Sequence, residues 1–153
     1  LTIQSDYQIE LINEQLAETD KKNRRVFIQN NSPILSIPGI SHFSGTSILA
    51  ELGEISNYSK PSKIIKAAGV APYAIQAQYI AIAKRGSPYL RKTLYQIILP
   101  VINNNPVFKQ YYDLKISQGK GHRCACGHCV RKLLRIIYHL SSTNQQFDDA
   151  LLR

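Results

Sequence analysis

The densest run of reactive side chains in this 153-residue sequence is His122-Arg123-Cys124-Ala125-Cys126-Gly127-His128-Cys129. Three thiols and two imidazoles there could supply four soft ligands to zinc. The spacing argues against a metal site. Cys124 and Cys126 are two apart, and no second Cys-x-x-Cys exists to pair with them, whereas structural zinc sites join two separated knuckles. On a helix, Cys126 and Cys129 share one face and read as small core residues, so no metal or other cofactor is expected in this chain. Three cysteines cannot build a complete disulfide framework, which agrees with a reducing cytoplasm. No Ser-His-Asp arrangement, phosphate-binding glycine loop or paired-carboxylate motif is found.

The cations offer a second chemistry. In Lys84-Arg85-Gly86-Ser87-Pro88, Ser87 can cap a helix whose first position is Pro88, with Arg91 and Lys92 in the opening turns. Four cations around a helix N-terminus oppose its dipole, at a few tenths of a kcal/mol each. A bound phosphate would reverse that sign, because exposed N–H groups and cations would then converge on one anion. The plain alternative is a solvated charged face. Pro38-Gly39-Ile40 is a further candidate: a tight glycine turn before a helix presents N–H groups to phosphate, although an ordinary helical hairpin uses the same turn. His42 follows that turn and could touch phosphate. Tyr73, Tyr79 and Tyr89 flank the basic segment and are candidates for stacking on bases.

Composition narrows the classes. At 44% hydrophobic and 19% charged the chain can bury a core. No apolar run approaches the roughly 18 residues of a membrane span, and the acidic first twenty residues are no signal peptide. The chain opens at Leu1 and contains no methionine, as expected of a fragment or processed product. Nineteen Lys and Arg stand against ten Asp and Glu. Residues 1–60 carry a net −2 and residues 61–153 a net +11. That asymmetry points to a polyanion, with nucleic acid favoured over membrane, or else to a basic surface kept for solubility.

The elements that must position these residues read as mainly α. Residues 5–29 form one long helix, with Ile9, Ile12 and Leu16 recurring along one stripe and polar faces elsewhere, as in a coiled coil. Ser32-Pro33 then opens a helix-hairpin-helix, Ile34–Ile37 and Ile48–Leu52 joined through Pro38-Gly39. A short helix spans 59–68, and Tyr73–Ala83 lacks a cap and reads as loop or irregular hairpin. Further helices run from Pro88 to the Asn103-Asn104-Asn105 break, from Pro106 to Gly119, and from about Ala125 to Leu140, with Arg131, Lys132 and Arg135 outward. The division is a connector helix over 1–31, a helix-hairpin-helix-containing domain over 32–140 and a polar tail over 141–153.

Five segments in this order resemble a known family. They are Ile37-Pro38-Gly39-Ile40, Ile48–Gly53, Ala68-Gly69-Val70-Ala71-Pro72, Lys84–Arg91 and Arg131-Lys132-Leu133-Leu134. Together they are similar to the C-terminal half of the IS-one-ten type transposases of bacterial insertion sequences. The resemblance implies DNA transposition guided in the intact parent by a structured RNA. It also implies an acidic, divalent-metal domain of ribonuclease-H fold lying N-terminal to these residues, and self-association through the first helix. The family's nucleophilic serine lies in a Gln-Ser-Gly segment after a proline. Counted from Pro72, the glutamine falls at Gln76, Ala77 stands at the serine position and Gln78 at the glycine. Alanine cannot attack phosphorus, so the resemblance implies a DNA-binding domain without recombinase activity. Its expected contacts are Pro38, Gly39, Ile40, Gln76, Lys84, Arg85, Gly86, Ser87, Arg91 and Lys92. A stand-alone helix-hairpin-helix module binding DNA nonspecifically is the alternative.

Overall fold

The computed structural model describes residues 2–30, 32–76 and 79–152. The chain divides into two compact units, Leu1–Ser32 and Pro33–Arg153. The first is the helix α1, Thr2–Asn30, uninterrupted because no Gly or Pro breaks it. Lys22 pairs with Glu18 at 2.9 Å, four residues back. Its apolar stripe faces outward: Ile9, Ile12 and Leu16 are all more than half exposed.

In the second unit the central element is α6, His122–Thr143. Its buried face of Cys126, Cys129, Val130, Leu133, Leu134, Ile137 and Leu140 has the three-and-four spacing of an amphipathic helix. Around it pack α3 (Pro61–Ala67), α4 (Pro88–Asn104) and α5 (Pro106–Ser117), while α2 (His42–Leu52) lies against α4. Each 20–30 Å² of apolar side-chain surface buried contributes about 0.5–0.8 kcal/mol, and this single cluster runs from Ile34 to Leu140. The helix is longer than the periodicity indicates at both ends, and the expected polar tail begins inside it. Beyond Asn144, which ends α6 in the left-handed conformation, Phe147 donates its N–H to Ser36 Oγ at 2.7 Å and packs on the core.

The helix-hairpin-helix expectation meets a different local structure. The first helix of the pair is a single 3-10 turn, Pro33–Ser36. Four residues separate Pro33 from Pro38, and a proline disfavours helical backbone in the residue before it, so Ile37 cannot continue a helix. Ser41 rather than Ser32 is the cap that matters. It forms a reciprocal capping box with Ser44, whose N–H donates to Ser41 Oγ at 3.2 Å while the Ser41 N–H donates to Ser44 Oγ at 3.0 Å.

Two strands, β1 (Ala71–Gln76) and β2 (Tyr79–Ala83), pair antiparallel as a small hairpin sheet. Tyr, Ile and Ala on alternating positions suit a pleated surface. The register runs from Ala71 opposite Ala83 to Gln76 opposite Tyr79, with an irregularity between Ala74 and Gln76. Ala77, which the resemblance sets at the family's serine position, lies outside the described residues.

Candidate nucleic-acid interface

Two close backbone approaches position the basic segment. Gly69 closes the turn after α3 with φ +66°, and Gly86 sits opposite it with φ +146°. A Cβ on Gly86 would lie 2.4 Å from the Ala67 carbonyl oxygen and 2.6 Å from the Gly69 nitrogen. Only glycine fits there, and the approach lets the Ser87 N–H donate to the Ala67 carbonyl at 2.8 Å. Ser87 then caps α4: its Oγ accepts from the Leu90 N–H at 3.1 Å and donates to Glu51 Oε2 at 2.6 Å. The serine and glycine of the Lys-Arg-Gly-Ser segment therefore orient α4.

The orientation of α4 creates a groove. Arg91, Lys92, Tyr95, Ile98 and Leu99 share one face of α4, and Arg123, Cys124, Gly127, His128, Arg131 and Arg135 share one face of α6. Pro72, Ala81 and Ile82 of the hairpin, Lys84, Tyr111 and Lys120 complete a cavity of about 1190 Å³. Seven Lys and Arg side chains line it, and among the described residues no Asp or Glu does. Like charges converging in a recess raise the local positive potential and favour an anion. Arg91 carries that cost visibly. Its Nη1 is buried without a hydrogen-bond partner and lies so close to the Gly69 backbone that a Cβ there would sit 2.5 Å away. An unpaired buried guanidinium nitrogen is expensive unless something else supplies an acceptor.

Burial leads the shifts of the titratable groups around the groove. Burial, then Arg131, Lys115 and Lys120, hold the His128 imidazole below its ordinary range. Burial pushes the Tyr95 hydroxyl up, with the Arg131 charge opposing, so it remains a phenol at neutral pH. Burial raises the Cys126 thiol, and burial with the neighbouring Cys126 raises Cys129 to about 11. These thiols are buried in α6, and no three His, Cys, Asp or Glu among the described residues converge as metal ligands.

Of the residues singled out from sequence, Lys84, Arg91 and Lys92 line this groove. Arg85 is exposed outside it, and Gly86 and Ser87 act through backbone packing and capping. The Gln76 side chain lies outside the described residues. Pro38, Gly39 and Ile40 stand apart: Ile40 is in the core, and Gly39, with φ +95°, presses on α4 so closely that a Cβ would come within 2.6 Å of Val101 Cα. The glycine at that turn is required by helix packing. Tyr89 is 72% exposed and Tyr73 48%. Sequence reasoning gave Tyr95, Lys120 and Arg123 no role, weighed His128 only as a metal ligand, and assigned Arg131 and Arg135 only to an outward face. The spacing of 123, 127, 131 and 135 in steps of four was the available signal.

Fold and site together define a mainly helical domain with a deep groove of one charge. The chain belongs to the Transposase IS116/IS110/IS902 family, whose sequence model matches residues 31–113, from the 3-10 turn into α5. It is also 30% identical over 110 residues to the insertion element IS900 uncharacterized 42 kDa protein of Mycobacterium paratuberculosis. That alignment covers 69% of this chain and 28% of the relative, so the chain spans little more than a quarter of that protein. No described helix is long and apolar enough to cross a membrane.

Proposed function

We propose that Pro33–Arg153 is a DNA-binding part of an insertion-sequence transposase and that the groove between α4, α6 and the hairpin holds the phosphate backbone. The observation that carries this reading is the convergence of Lys84, Arg91, Lys92, Lys120, Arg123, Arg131 and Arg135 with no carboxylate among the described lining residues. The family supplies the rest: recombination of DNA in the cytoplasm, RNA-guided in the intact parent, with a structured RNA as a second partner and a divalent metal in a separate acidic domain. Ala77 at the serine position makes this chain a binder without recombinase activity. The outward apolar stripe of α1 supports self-association, since a lone helix in water draws little stability from propensity. A stand-alone helix-hairpin-helix module is disfavoured by the 3-10 turn in place of its first helix and by Gly39 facing α4.

The test is anisotropy of labelled DNA across a salt series. Each phosphate neutralised contributes about 0.7–0.9 to the slope of log K against log salt. Lys84→Ala and Arg131→Gln should each flatten the slope by about one such unit, and Arg85→Ala should leave it nearly unchanged. Equal effects from Lys84 and Arg85, or no binding at low salt, would remove the groove from the reading.

A further inference from the structure

A track for phosphates alone needs cations, and this groove has more than cations. Tyr95, Ile98, Leu99, Cys124 and Ile82 lie among the seven Lys and Arg side chains. Leu99 is 44% exposed there, and Cys124 is exposed as well. Gly127 sits on the groove face of α6, where a Cβ would lie 3.1 Å from the Tyr95 hydroxyl and 3.7 Å from Arg131 Nη1. The missing side chain lets the Tyr95 hydroxyl pack against the buried Gly127 at the middle of the 123–135 cationic face, which fixes the ring at the groove wall.

A duplex can offer an apolar surface of this kind only thymine methyls and sugar edges, because its base faces are already stacked on one another. An unpaired strand gains from it, because its base faces are free to leave water. The polar inventory is equally selective. Among the described residues, no Asn, Gln, Asp, Glu, Ser or Thr lines the groove. The amide and carboxylate contacts that tell adenine and cytosine from other bases are therefore missing. A 2′-hydroxyl, which donates as well as accepts, would find among the lining side chains only the Tyr95 and Tyr111 hydroxyls and the His122 and His128 imidazoles to accept from it.

From this combination we infer that the groove seats unpaired nucleotides of a DNA strand, phosphates on the Lys and Arg rim and bases over Tyr95 and Leu99, without reading base sequence. The inference rests on the phosphate-binding reading above and assigns its substrate as single-stranded rather than duplex DNA.

The experiment uses the full chain and four labelled probes of about 12 nucleotides, near the site size of one single-strand-binding module. They are a mixed-sequence DNA strand, the same strand with abasic sugars through its centre, the corresponding duplex, and the RNA strand. The intact strand should bind about ten-fold tighter than the abasic strand with the same salt slope, since stacking is the only term removed. It should bind tighter than the duplex at salt high enough to screen phosphate contacts, and about three-fold or more tighter than the RNA strand. Leu99→Ser, at an exposed position, should weaken the intact strand several-fold and leave the abasic strand unchanged. Equal affinity for intact and abasic strands, or a duplex preference, overturns the single-strand assignment while leaving phosphate binding in place. RNA bound as tightly as DNA, or more tightly, overturns the choice of DNA. No binding by any probe at low salt overturns the phosphate reading itself.

Discussion

Replacing Gly39 by alanine separates two explanations of one glycine. In the structure its φ is +95°, and an added Cβ would meet Val101 Cα at 2.6 Å and the Pro100 carbonyl carbon and oxygen at 2.7 Å. Those atoms are α4 backbone and cannot rotate away. Gly53 is the control, with φ +64° and nothing within 4 Å of its added Cβ. A positive-φ backbone of this kind costs an alanine about 1–3 kcal/mol at either position. Forcing α2 and α4 apart adds an overpacking cost of about 1–3 kcal/mol at Gly39 alone. The expected losses are therefore about 2–6 kcal/mol for Gly39→Ala and about 1–3 kcal/mol for Gly53→Ala. With a urea m-value of about 2 kcal/mol/M, the Gly39 variant should unfold at a midpoint lower by about 1–3 M and the control by about 0.5–1.5 M. Urea melts followed by circular dichroism, with DNA binding measured where both variants are folded, decide the matter. Equal midpoints together with weakened DNA binding by Gly39→Ala alone would show that the turn serves phosphate and that the packing argument is wrong.

Two further outcomes follow from the groove and the core. Cys129, held up to about 11, and Cys126, also raised, are buried, whereas Cys124 is exposed. Iodoacetamide at neutral pH should accordingly label Cys124 first, as peptide mapping would reveal; comparable labelling of Cys129 in the folded protein would contradict the burial. His128 is depressed in the folded state by burial and then by Arg131, Lys115 and Lys120. As pH falls through its unfolded value of about 6.5, the unfolded chain takes up a proton that the folded chain resists, so stability falls until the folded value is passed. Urea midpoints should decline over that window less steeply in His128→Gln than in the parent, and an identical decline would remove His128 as the cause.

The mainly helical class, the caps at Ser87 and Pro88, and the cationic surplus beyond residue 60 were all legible in the sequence. Each is a local property: hydrophobic period, backbone stereochemistry at proline, or summed charge. The five ordered segments likewise identified the family without coordinates. The hairpin over 71–83 was only half legible, because strand pairing is a nonlocal bond pattern that no cap or period announces. Gly39 and Gly86 show what sequence cannot do. A glycine before a helix reads the same whether it faces a phosphate or a neighbouring helix, and only the positions of Val101 and Ala67 distinguish the two. The site itself was split between Lys84–Lys92 and the 123–135 face of α6, about forty residues apart along the chain. Charge composition determined that the cationic surplus lies beyond residue 60. The packing of α4 on α6 decided that the cations meet in one groove, that Arg85 is left outside it, and that Tyr95 and Leu99 lie within it.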